Sequence, residues 1–460
     1  MKRRSIPGIA VGLAITASCV TAPDPPASRA EFPPVILIVV DCLRADHLGA
    51  YGYAHDTSPW IDQLAAESVL FEHVVAQSNW TKPSMASLLT GTQVSQHGLR
   101  EGRLAGRVAE SAEELDGHTL SESLTTWAEA LAALGYETAG FVNQGHLTDY
   151  MGFAQGFSTY EYGLQDPVVE SRFTEWLAGV GDAVPFGYVH LLDLHFPYNP
   201  PEHVDRFFDG TDRPMRDIMQ ANPAGIRQLM ETRPLEQSEI DEIRALYDGE
   251  VVVVDDRVGR ILRALRDEGL YDDAIIVVTA DHGELLLEHD ALEHGGDRLY
   301  EPVLRIPWIM RLPGGQHGGT RVAGSVQMAD ILPTVLGLLD AAPPAGIAGR
   351  DALVRLDEPD RRWPILAETS DVEGPRALYT DELKFVFRAD GTTQVFDPIA
   401  DPDEVHDLVD EISASRLFAA AQLLEEMAAA NRVFASGLDQ QRAELAPAQI
   451  EQLRALGYIR

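Results

Sequence analysis

Four short segments carry the side chains that could do chemistry. Asp41 follows the apolar run Val35-Ile36-Leu37-Ile38-Val39-Val40, and Thr81 opens Thr81-Lys82-Pro83-Ser84-Met85-Ala86-Ser87-Leu88-Leu89-Thr90-Gly91. Asp193 and His195 lie within Tyr188 to Tyr198, and Asp281-His282-Gly283-Glu284 is followed by Glu288-His289 and Glu293-His294. Carboxylates and neutral imidazoles are ligands for divalent cations. A threonine hydroxyl attacks as a nucleophile only when a base or a cation draws off its proton. Each residue also has an ordinary reading: an acid after a strand as a turn residue, a threonine before a helix as an N-cap.

The elements that must position these groups can be read from periodicity. Val35 to Val40, Phe186 to Leu192 and Ile275 to Ala280 are short, continuous apolar runs, the pattern of strands buried on both faces of a parallel sheet. Each leads to an acid, namely Asp41, Asp193 and Asp281. Between them, Leu120 to Leu134 and Glu239 to Glu268 have helical spacing and stop at Gly135 and Gly269. Alternating strands and helices predict an α/β fold with a doubly wound, mostly parallel sheet. Ligands bind beyond the carboxyl ends of such strands, so the three acids are expected on one rim. Pro83 suits the first turn of a helix, which places Thr81 at a helix N-terminus, where the dipole favours an attacking oxyanion and a bound anion. Alternation along a strand puts Asp193 and His195 on one face and His190 on the other. Val251 to Val254 with Asp255-Asp256 imitates a strand end, but its flanks keep helical spacing, so the two acids read as a solvated helix face. In the tail, Leu383 to Phe387 and Thr393 to Phe396 flank Ala389-Asp390-Gly391 as a hairpin, and a helix follows from about Glu411 to Ala430.

The Thr81 segment resembles the sulfatase signature C-x-P-S-R-A-S-L-L-T-G, with Thr81 at the cysteine and Met85 at the arginine. The chain is identified as a member of the sulfatase family within the alkaline phosphatase superfamily, as a variant lacking the cysteine that becomes formylglycine. Other segments extend the likeness. Asp41-Cys42 stands where sulfatases carry two metal-binding acids, and His190 to Tyr198 is similar to "H..D.H.PY". Val395-Phe396-Asp397-Pro398 through Asp407-Leu408 resembles the family's C-terminal sheet-plus-helix region. His294 lies thirteen positions past Asp281, where many sulfatases place a substrate-binding lysine and threonine-nucleophile relatives a metal-binding histidine.

The resemblance implies an alkaline-phosphatase-like catalytic domain at 31–355 and a small antiparallel subdomain at 356–460. It implies a divalent cation (Ca, Mn or Zn, one ion or two) held by Asp41, Thr81, Asp281 and His282. Asp193, His195 and His294 form a candidate second site. Thr81 is the implied nucleophile. His195 and His294 are expected on the reacting oxygens, and Lys82 either binds substrate or is solvated. Glu284 is expected to orient His282, and Cys42 to be a buried apolar filler. His190, Asp46 and His47 are expected as hydrogen-bonded structural residues. The implied reaction is hydrolysis of a sulfate or a phosphate/phosphonate ester of a small molecule, glycan or lipid. Phosphorus is the better match for an alkoxide, because the formylglycine route for releasing sulfate is closed. A phosphoethanolamine-type transferase and a non-catalytic binding protein are the other classes.

Bulk composition agrees. The chain has 460 residues and a formal net charge of −36, which argues against nucleic acid or an anionic membrane surface as a general partner. Lys2-Arg3-Arg4 and the short apolar stretch Ile6 to Ala17 read as an export leader within residues 1–30. Ala17-Ser18-Cys19 resembles a lipoprotein cleavage box, so Cys19 could carry the chain's membrane anchor. The expected location is periplasmic or cell-surface. Processing would leave Cys42 alone, with no internal disulfide.

Overall fold

The computed structural model describes residues 32–100, 119–200, 203–210, 213–222, 224–359, 361–380 and 383–439. The leader and Cys19 lie outside them.

The strands, in chain order, are β1 (Val35–Val40), β2 (Val69–Val75), β3 (Glu137–Val142), β4 (Thr159–Tyr162), β5 (Pro185–Leu191), β6 (Ile275–Ala280), β7 (Leu285–Leu286), β8 (Leu292–Glu293), β9 (Arg305–Arg311), β10 (Thr320–Gln327), β11 (Ile365–Glu368), β12 (Arg376–Thr380), β13 (Leu383–Phe387) and β14 (Thr393–Phe396). Eight of them form one sheet in the order β10-β2-β9-β6-β1-β5-β3-β4. Only β9 runs against its neighbours, so the sheet is mostly parallel. β1 is central, fully buried and paired in parallel with both β5 and β6. Its unbroken Val/Ile/Leu composition follows from having protein on both faces. Val40 lies level with Leu191 and Ala280, so the residues that follow all three strands leave the sheet at one edge.

Helices cover the sheet. The helix Gln237–Asp267 absorbs the Val251–Asp256 segment. Its acids are not equivalent, and this corrects the solvated-face expectation. Asp255 is buried and accepts from the backbone N–H groups of Trp60 and Ile61 at 3.0 and 2.8 Å, so it caps the helix Pro59–Ala66. The expected helix over Leu120 to Leu134 is only Trp127–Ala133. Thr126 and Glu129 close its N-terminus reciprocally, at 3.1 and 2.9 Å, and so fix the later start.

The second sheet is antiparallel, in the order β11-β12-β13-β14. One face packs Ile365, Ala367, Tyr379 and Val386 against Val75, Leu299 and Leu304. The other face packs Leu378, Phe385 and Val395 against Ala420 and Leu424 of the helix Ala414–Ala435. A buried ionic cluster joins the two sheets. Lys384 bonds Glu404 at 2.7 Å and Glu301 at 3.2 Å, and Glu301 also bonds His73 of β2 at 2.8 Å.

Candidate active site

Asp41 leaves the end of β1 and Asp281 the end of β6, both fully buried. The turn after β1 is tied to the long helix by Tyr247, whose hydroxyl donates to the Cys42 carbonyl at 2.7 Å and accepts from Arg44 N–H at 3.0 Å. The turn after β6 requires Gly283. A Cβ there would lie 2.2 Å from the Pro302 carbonyl oxygen, while its N–H donates to Val303 at 2.7 Å. The helix Thr81–Thr90 carries Thr81 at its first position, with Pro83 inside its first turn. Ser84 fastens it to the second strand end by donating to the Asp281 carbonyl at 2.7 Å.

These elements bring Asp41, Thr81, Asp281 and His282 together. Thr81 Oγ lies 3.4 Å from Asp41 Oδ2 and 3.3 Å from His282 Nε2. His282 Nδ1 faces the Gly283 carbonyl at 2.9 Å, which leaves Nε2 toward the cluster. Asp281 Oδ1 accepts from the N–H groups of Cys42 and His282. Asp281 Oδ2 is buried with no hydrogen-bond partner and lies 3.3 Å from His282 Nε2. Burial and the neighbouring Asp41 charge push the Asp281 carboxyl well above its usual range. Two buried carboxylates side by side cannot both ionise without added positive charge. An orphaned carboxylate oxygen, a second carboxylate, an imidazole nitrogen and a hydroxyl are a donor set that fits a divalent cation.

The surroundings match the sequence in part. His195 and His294 stand at the site with ring centroids 5.3 Å apart, and both line a cavity of about 950 Å³ together with Thr81. Burial lowers the His195 pKa, but the charges of Asp41 and Glu284 outweigh this and raise it overall. Burial and then His195 hold His294 down at about 4, and burial and then His294 hold His282 at about 3, so both are neutral at physiological pH. Trp80, His146, Arg227 and Arg298 extend the cavity wall. Arg227, on the helix Gly225–Thr232, closes over the β7–β8 ribbon by pairing with Glu293 at 2.7 Å through its Nε. His190 is buried and hydrogen-bonded to Tyr188, and it also lies 3.4 Å from Asp41 Oδ2. His47 bonds Asp248, Asp46 bonds Arg44, and His289 stacks on Tyr300.

Other expectations fail. Asp193 is not beside His195 on a strand face, because β5 ends at Leu191 and both residues lie in the turn beyond it. Asp193 instead pairs with Arg257 of the long helix, so it does not join the candidate second site. Glu284 bonds His294 Nδ1 at 3.1 Å rather than His282. Cys42 is buried but is no mere filler: its Sγ lies 3.0 Å from Asp41 Oδ1 and 3.6 Å from His294 Nδ1. Lys82 is 3 % exposed, which removes the solvated alternative. Sequence reasoning missed Gln144, whose Nε2 donates to Asp41 Oδ2 at 2.9 Å. It stands two residues past the end of β3, one position farther from its strand than Asp41 and Asp281 are from theirs.

Comparison with known proteins agrees with this architecture. A family model described as Sulfatase matches residues 33–341. An ulvan-active sulfatase of Formosa agariphila is 25 % identical over 422 residues, covering 82 % of this chain and 77 % of its own. The crystal structure of the phosphonate monoester hydrolase of Agrobacterium radiobacter superposes with a TM-score of 0.65 at 21 % identity, over 89 % of this chain and all of that one. A 2-O GAG sulfatase superposes with a TM-score of 0.69 at 20 % identity, over 91 % and 96 %. The chain belongs to the sulfatase family, a family of ester hydrolases.

Proposed function

We propose that this protein is an exported, metal-dependent hydrolase of sulfate or phosphate/phosphonate esters that uses Thr81 as its nucleophile. The observation that carries the reading is the position of Thr81 Oγ, at a helix N-terminus within 3.4 Å of both Asp41 and His282. Asp41, Asp281 and His282 would hold a divalent cation, which would supply positive charge to lower the pKa of the hydroxyl and to offset charge on the transferred group. Asp41 Oδ2, 3.4 Å from Thr81 Oγ, is placed to accept the Thr81 proton. Oγ attacks phosphorus or sulfur, the ester oxygen departs on the opposite side, and His195, which lines the cavity with Thr81, donates the proton that oxygen needs. Helix N–H groups and His294 face the equatorial oxygens. Water then attacks the phospho- or sulfo-threonine, and the hydroxyl of Thr81 is restored. The match to sulfatases and to a phosphonate monoester hydrolase supports both ester classes. The basic-then-apolar leader supports export.

The test is an acid-quenched reaction with an aryl phosphate, a phosphonate monoester and an aryl sulfate, each with and without an alcohol acceptor. Mass spectrometry should find the transferred group on Thr81, and Thr81→Ala should abolish turnover at an unchanged unfolding midpoint. Substantial residual turnover by Thr81→Ala would refute the nucleophile. Transfer to the alcohol in preference to water would make the enzyme a transferase.

A further inference from the structure

We infer that Cys42, His294 and Glu284 hold a second divalent cation, of the borderline-soft class to which zinc belongs, beside the Asp41/Asp281/His282 group. The inference rests on reading that group as the first cation site. Cys42 Sγ and His294 Nδ1 are 3.6 Å apart, and Nδ1 lies 3.1 Å from Glu284 Oε1. A tetrahedral ion with a sulfur bond of about 2.3 Å and a nitrogen bond of about 2.0–2.1 Å sets those two ligand atoms about 3.6 Å apart. All three residues are buried, Glu284 and Cys42 completely.

A second observation points to a ligand independently. Glu284 Oε2 is buried without any hydrogen-bond partner, so half of this carboxylate is unsatisfied by the protein. Nor is Cys42 placed where backbone ease would choose it. Its φ is +62°, a region that glycine or asparagine enters readily and cysteine rarely does. Its amide is held there by Asp281 Oδ1 at 3.2 Å, which aims the sulfur at His294. His282 also approaches the sulfur, at 4.0 Å, but through the nitrogen engaged with the Gly283 carbonyl; its other nitrogen serves the first site.

Three protein ligands leave one coordination position open, as reactive zinc sites do. Thiolate with imidazole favours zinc-like ions over calcium, which takes oxygen ligands. Binding converts the thiol to thiolate, and the displaced proton, now donated to Asp41 Oδ1, passes to solvent. Asp41 then stands between the sites, Oδ1 toward the sulfur and Oδ2 toward Thr81. An ion on His294 Nδ1 also fixes the tautomer in which Nε2 carries hydrogen, ready to donate to a substrate oxygen in the cavity.

The test strips the full protein of metal with a chelator and reconstitutes it with cobalt(II) or zinc. The expected result is two equivalents bound and, for cobalt, a thiolate-to-metal charge-transfer band in the near ultraviolet. Cys42→Ser should lose the band and one equivalent; Asp281→Asn should lose the other equivalent and keep the band. X-ray absorption of the zinc-loaded wild type, which needs no variant, should show one sulfur neighbour at about 2.3 Å. One equivalent bound with neither band nor sulfur neighbour would overturn the second site and leave the first intact. Two equivalents without sulfur would overturn it as well. Failure of any ion to bind would overturn both readings.

Discussion

Ser84 Oγ donates to the backbone carbonyl of Asp281 at 2.7 Å, so the helix that carries Thr81 is pinned to the strand end that carries the candidate ligands. Position along this helix is thereby coupled to position on β6. Ser84→Ala leaves a buried carbonyl short of a donor, at a cost of about 1–3 kcal/mol by denaturant unfolding. A shift of Thr81 by a fraction of an ångström should also lower kcat by about tenfold to a hundredfold with little change in KM. Unchanged kcat in a destabilised variant would show that the pin serves folding alone.

Gln144 supports Asp41 from the end of β3 at 2.9 Å. Gln144→Leu keeps the bulk and removes the donor. Cation affinity should fall by about 10–100-fold, the usual cost of losing a group that orients a ligand. Titration of the chelated protein with manganese or zinc measures it.

Removing the cation leaves Asp41 and Asp281 facing each other in a buried site, with Asp281 pushed well up by burial and then by Asp41. Chelation should therefore lower the melting temperature, and saturating metal at a hundred times its Kd should restore about 2.7 kcal/mol. Asp281→Asn removes one charge while keeping an oxygen for the two N–H donors. Its metal-free form should be more stable than the metal-free wild type at pH 8, by about 1–2 kcal/mol, and should gain less from added metal than the wild type does.

Asp255 offers a pH test remote from the site. Burial pushes its pKa up to about 7, against the pull of the Trp60 and Ile61 N–H groups. The folded state then binds this proton more tightly than the unfolded chain. Its contribution is complete below the unfolded carboxyl range and is lost as pH rises through 7. Asp255→Asn should flatten the fall in unfolding free energy between about pH 4 and 7. An identical slope in the variant would refute the assignment.

Lys384 is completely buried between Glu301 and Glu404. Lys384→Met leaves two buried carboxylates unbalanced and should cost about 3–5 kcal/mol in urea unfolding. Adding Glu404→Gln should return part of that loss.

The core strands were legible because a strand buried on both faces must be apolar throughout, as β1 and β6 are. The gathering of Asp41, Thr81, Asp281 and His282 was legible for a related reason: parallel strands end on one edge, and Pro83 marked the helix that starts there. Asp193 was not legible, since its partner Arg257 comes from a helix far along the chain and strand alternation had already ended at Leu191. Nearness in sequence points Glu284 to His282, but the turn at Gly283 carries it to His294. Gln144 has no charge and no motif, and only the pairing of β3 beside β5 puts it near Asp41. The start of the helix at Trp127 was readable in Thr126 and Glu129, a capping signal that the longer apolar pattern masked.

The Arg227 side chain that closes over the ribbon is about half exposed, at 54 %. Its partner Glu293 is mostly covered and meets it through both carboxylate oxygens, so dissolved salt screens this clasp only in part.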